Sequence, residues 1–106
     1  MDHYILDSQG NPVKELDLIR WAQWYETADR RVAKDSIGNV EVSTVFLALD
    51  HNFWRGLPLL YETMIFGGEN DQFVERYCNK IAALAGHDRA VALVRDSIQN
   101  PSLEEE

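Results

Sequence analysis

Two alternating runs, separated by one short loop, constrain this chain more than any other feature. In Val40 to His51, Val40, Val42, Thr44, Phe46 and Ala48 point one way, and Glu41, Ser43, Val45, Leu47 and Leu49 the other. In Leu59 to Phe66, Leu59, Tyr61, Thr63 and Ile65 oppose Leu60, Glu62, Met64 and Phe66. A period of two and a high β-branched content are the marks of strands. Two such runs joined by eight residues, His51 to Pro58, most simply pair as an antiparallel hairpin. Gly67-Gly68-Glu69-Asn70-Asp71 supplies the next turn, and Gln72 to Cys78 a shorter third strand.

The flanks follow different periods. Tyr4-Ile5-Leu6-Asp7 is a short β-prone run closed by the turn residues Ser8 to Pro12. Leu18, Trp21, Ala22, Tyr25, Ala28 and Val32 recur at three and four, predicting a helix over 14–34. Asp35 to Asn39 ends it with turn chemistry. Leu84, His87, Val91, Val94 and Ile98 predict a last helix over 80–98, with Asn79 as N-cap and Asn100-Pro101 as its stop. Gly86 lies inside that helix at a cost of about 1 kcal/mol relative to Ala, so something should pack closely there. The expected order is β-α-β-β-β-α. The expected fold is a single two-layer α+β domain: an antiparallel sheet of three to four strands with two helices packed on it. A chain of 106 residues has room for one domain, here 1–99, with 100–106 as an acidic, loose C-terminal tail.

The formal charge is −8, from 10 Lys and Arg against 18 Asp and Glu. Residues 1–53 and 54–106 each hold five basic and nine acidic residues, so the acidity is spread rather than gathered in one patch. Such a surface is a poor grip for phosphate backbones, and no direct nucleic-acid binding is expected. The interspersed basic residues also argue against a nucleic-acid mimic. One cysteine, Cys78, fits a reducing compartment, and no apolar run is long enough for a membrane. The expectation is a cytoplasmic protein with no cofactor and a protein partner; a homodimer stays open.

Four residues form the first set able to carry chemistry: Asp50, His51, Glu62 and His87. The hairpin should bring the end of one strand near the start of the next, placing Asp50 and Glu62 within reach of each other. His87 sits on the packed stripe of the last helix. Two imidazoles and a carboxylate can hold a divalent metal or act as base and acid, although the spacing matches no compact metal motif. The structural alternative is a core histidine that donates to a buried Glu62. A glutamate inside an apolar strand needs a partner, and His87, His51 or Arg76 could supply it. The second set is Phe53, Trp54 and Arg55, whose aromatic and guanidinium groups are typical of protein-contact hot spots.

Several segments carry a resemblance. They are Tyr4-Ile5-Leu6-Asp7 with Gly10-Asn11-Pro12-Val13, Val42 to Leu47, Leu49 to Phe53, Pro58 to Gly68, and Ala85-Gly86-His87. Across nearly its whole length the chain resembles a widespread family of small phage and prophage proteins of uncharacterised function. That resemblance implies a mobile-element origin. By analogy it also implies an accessory protein that binds and inhibits a host factor, including defence systems such as CRISPR–Cas. A small metal-dependent enzyme using His51, Glu62 and His87 is the competing expectation.

Overall fold

The computed structural model describes residues 1–52 and 56–100. Strands β1 (Tyr4–Leu6) and β2 (Pro12–Lys14) form a small antiparallel hairpin. Helix α1 (Leu18–Thr27) follows. Strands β3 (Arg31–Ile37), β4 (Val40–Phe46), β5 (Tyr61–Phe66) and β6 (Val74–Tyr77) then build one antiparallel meander in that spatial order. Helix α2 (Lys80–Gln99) closes the chain by packing across all four strands. The α+β class, the antiparallel sheet and the two helices are those expected. The element order gains two strands, and the helix expected over 14–34 is corrected to ten residues.

Each correction has a local cause. The Asp17 carboxylate accepts the amides of Ile19 and Arg20, starting α1 at Leu18. The residues before it pair with β1 because Asp7 Oδ1 accepts the amides of Gln9 and Asn11 and folds the chain back. After α1 the chain becomes β3, with a register shift between Arg31 and Ala33. Ile37 pairs with Val40 across Gly38-Asn39, and Gly38 (φ 58°) supplies the positive φ of a tight hairpin turn. Strand β4 stops at Phe46, short of His51. Ala48 (φ 65°) turns the backbone there, and its carbonyl accepts from the Tyr4 amide and the Trp21 indole.

The alternation of the central hairpin sorts its side chains as expected. Val40, Val42, Thr44 and Phe46 of β4, and Tyr61, Thr63 and Ile65 of β5, are buried beneath α2. From α2 the buried stripe is Ala83, Gly86, His87, Ala90, Val91 and Val94. Leu84 and Ile98, expected on that stripe, lie on its flanks and are exposed. The apolar core divides in two. Val40, Val42, Ile65, Ala90, Val91 and Val94 form one cluster. Phe46, Ala48, Leu60, Tyr61, Tyr77 and Ala83 form the other, with Trp21 and Trp24 of α1 packed against it. Trp24 meets Phe46 edge-on at 5.9 Å.

Candidate functional site

Between the two apolar clusters runs a line of buried polar groups that crosses the sheet. Tyr77 of β6 donates its hydroxyl to Thr63 of β5 at 3.0 Å. Thr63 and Thr44 of β4 share a 2.6 Å hydrogen bond, and Thr44 lies 2.7 Å from His87 Nδ1. His87 Nε2 lies 2.7 Å from a carboxylate oxygen of Asp35 in β3. Each hydroxyl has one proton, and one direction of donation satisfies every group. Tyr77 donates to Thr63, Thr63 to Thr44, and Thr44 to His87 Nδ1, which leaves Nε2–H to donate to Asp35. Only the Asp35 end reaches solvent: its side chain is 50% exposed, against 3% for His87.

A hydroxyl, an imidazole and a carboxylate in line are the parts of an activated nucleophile. Here Thr44 is fully buried, and a second threonine occupies the space a substrate would need. The line therefore ties β6, β5, β4, α2 and β3 together. Gly86 belongs to the same construction. A Cβ at that position would overlap the Tyr77 ring and hydroxyl, so the glycine lets α2 close onto Tyr77. This is the close packing expected at Gly86.

The sequence grouped Asp50, His51, Glu62 and His87, and the structure gives each of them a different partner. Tyr61 and Thr63 point towards α2, so the period of two sends Glu62 to the opposite face, away from His87. There its carboxylate takes the Arg76 guanidinium at 2.9 Å, one of the expected partners, across the Glu62–Arg76 register pair. His87 takes Asp35 instead of Glu62. Asp50 Oδ1 accepts the amides of Asn52 and Leu59, bracing the start and end of the β4–β5 connection. His51 Nδ1 lies 2.9 Å from the carbonyl two residues before it, Leu49 O. Among the described residues no three His, Cys, Asp or Glu side chains are arranged to hold a metal ion. Phe53, Trp54 and Arg55 lie outside the described residues, as do 101–106 of the expected tail. No helix among the described residues is long and apolar enough to cross a membrane.

Sequence reasoning missed Asp35 and Thr44 as the partners of His87, and Thr63 and Tyr77 as the groups that continue the line. The signal was present: Thr44 and Thr63 are the polar members of otherwise apolar inward rows, and they pair directly in register. Burial pushes the phenols of Tyr61 and Tyr77 above their ordinary value of about 10. The folded protein thus keeps protons that the unfolded chain releases. The associated stability is complete below pH of about 10 and is lost as the pH rises through the higher folded values. Urea midpoints should therefore fall steeply above pH of about 10, and Tyr61→Phe should make that fall shallower; an unchanged slope would count against it.

Compared with protein-family models, with curated proteins and with solved structures, the chain matches none of the three.

Proposed function

We propose that the protein is a small acidic binding module that docks a host-cell protein through the outer face of α1. The observation that carries this reading is the aliphatic surface around the start of that helix. Leu16 is 88%, Leu18 60% and Ile19 71% exposed, and α1 has no fully buried residue. Adjacent large aliphatics left in water are characteristic of contact surfaces. Glu15, Asp17 and Glu26 lie along this stretch, and its two bases, Lys14 and Arg20, are each paired with an acid, Asp2 and Glu15, so the balance favours a partner whose apolar groove is rimmed by Lys or Arg. The resemblance to small phage proteins supports a host factor as that partner, acting as a target of inhibition. The sequence adds Phe53, Trp54 and Arg55 as further contacts.

The test is affinity capture from host lysate with the wild type and two variants. Leu16→Ser/Ile19→Ser removes the aliphatics, and Asp17→Asn/Glu26→Gln removes two of the flanking charges. The expected result is one partner whose recovery drops at least about tenfold with the first variant. With the second, its association should slow and lose part of its salt dependence. Circular dichroism should report native folding for both. A partner captured equally by all three proteins would reject α1 as the docking surface.

A further inference from the structure

The polar line beneath α2 has as many gaps as protons. Tyr77, Thr63, Thr44 and His87 Nε2 each contribute one proton, and each proton fills one gap between neighbours, the last of them at Asp35. An imidazolium adds a further proton on Nδ1, in a gap that the Thr44 proton already fills. The line then stays bonded only if every hydroxyl turns round. His87 Nδ1 donates to Thr44, Thr44 to Thr63 and Thr63 to Tyr77, so the Tyr77 proton needs an acceptor beyond the line. Glu75 is placed to take it, two residues away along β6 and on the same face. Burial raises the Tyr77 phenol above its ordinary value, and the neighbouring Glu75 carboxylate adds to that rise, as an acceptor for the phenol proton would.

We propose that His87 is a proton switch that sets the direction of this line. Protonation at Nδ1 reverses the three bonds from His87 to Tyr77, hands the Tyr77 proton to Glu75, and turns the hydrogen bond to Asp35 into an ion pair. The protons balance. A solvent proton enters beside Glu75, whose side chain is 39% exposed and holds Arg89 at 2.9 Å. Tyr77 takes that proton and gives its own to Thr63, Thr63 gives its own to Thr44, and Thr44 gives its own to Nδ1. No heavy atom has to move, because every pair keeps its spacing of 2.6–3.0 Å. The charges packed around α2 fit this exchange. β3 brings Asp35, while Lys34 lies on the other face with Glu41. The inward rows of β4 and β5 hold Tyr61 as their one titratable group. β6 brings Tyr77 and Glu75, and α2 itself carries Asp88 and Arg89 beside the imidazole. α2 thus stays tied to the sheet with His87 in either charge state. Two carboxylates on opposite edge strands, Asp35 of β3 and Glu75 of β6, become coupled through the core. This switch is separate from the surface proposed on α1, and either can fail without the other.

Nitrogen-15 NMR of the His87 ring reads the switch, since it tells a bare ring nitrogen from a protonated one. Between about pH 8 and about pH 5, where imidazoles titrate, the wild type should pass from a bare Nδ1 with a protonated Nε2 to a ring protonated at both. Its backbone amide spectrum should stay native throughout. Tyr77→Phe and Glu75→Leu each remove the outlet for the displaced proton. Both should move the His87 transition to lower pH by at least about one unit, a tenfold loss of proton affinity. Glu75→Gln loses the same charge but keeps an acceptor oxygen, so it should titrate close to wild type. Glu75 is partly exposed, so its two variants fold whatever Tyr77→Phe does. The proposal is overturned if Nδ1 already carries a proton at about pH 8, or if Glu75→Leu and Glu75→Gln titrate alike. It is equally overturned if the wild type loses its native amide signals in step with the protonation of His87.

Discussion

Gly86→Ala should destabilise the protein by about 3 kcal/mol, although helix propensity alone predicts a gain of about 1 kcal/mol. The substitution adds one methyl group in the middle of α2, where alanine is the best helix former. That methyl would overlap the Oη, Cε1 and Cζ atoms of Tyr77. Tyr77 is only 6% exposed and sits in the second apolar cluster, so its ring has little room to retreat. Any movement that clears the methyl also draws the hydroxyl from Thr63 and strands a buried donor, a loss of about 1–3 kcal/mol by itself. The decisive measurement is a double-mutant cycle by urea denaturation with Tyr77→Leu, which removes the ring. If the overlap is the cause, Gly86→Ala should cost far less in the Tyr77→Leu background, and the coupling should exceed about 1 kcal/mol. A neutral or stabilising Gly86→Ala would mean that α2 does not press on Tyr77.

Where the fold was legible, the reason was a period shared by many residues. The inward row of β4 and the inward row of β5 each mark a strand without help from the rest of the chain, and their hairpin follows from the short connection. α2 is equally plain as an element, although its buried stripe runs through Ala83 and Ala90 rather than Leu84 and Ile98. Small residues face the sheet because the helix lies close to it, and the larger aliphatics are displaced to its flanks. Strand β3 was hidden for the opposite reason. Its sequence, Arg-Val-Ala-Lys-Asp-Ser-Ile, is mostly polar, and Val32 continues the spacing of the α1 stripe. Pairing with β4 overrides that local preference, as tertiary contacts do for weak strands.

The hidden strand explains the misplaced site. The spacing of α2 puts His87 on its packed side, where it is buried, and a buried imidazole needs a partner. With Asp35 expected in the turn that ends a helix, Glu62, a glutamate in the middle of an apolar strand, stands out as the acid in need of a partner. Once β3 pairs with β4, Asp35 lies opposite Val42, on the face that α2 covers, and becomes the acid His87 meets. Glu62 needed no imidazole because Arg76 stands across from it in β6. The partial exposure of Asp35 also matters: a carboxylate half in water avoids the desolvation cost that a buried Glu62 would have carried.

The polar line beneath α2 makes the second large prediction. Thr44→Val keeps the side-chain shape but removes the middle hydroxyl. It leaves the Thr63 hydroxyl without its acceptor and His87 Nδ1 without its donor, both deeply buried. Each unmet group costs about 1–3 kcal/mol, so the expected loss is about 2–5 kcal/mol. Thr44→Val/Thr63→Val should cost little more than the single variant, since it again leaves two orphans, now Tyr77 Oη and His87 Nδ1. Replacing the whole line, with Thr44→Val, Thr63→Val, Tyr77→Phe and His87→Leu, leaves only Asp35, which water can reach. That variant should regain most of the lost stability, because removing both partners of a buried bond is far cheaper than removing one. Urea midpoints across the series test the sequence of costs. A Thr44→Val protein within about 0.5 kcal/mol of wild type would show that the line does not hold α2 to the sheet. If the four-fold variant recovers its stability, amide hydrogen exchange in α2 then asks a separate question. Faster exchange there, at equal global stability, would mean that the polar line serves chiefly to fix one register of the helix on an otherwise slippery apolar face.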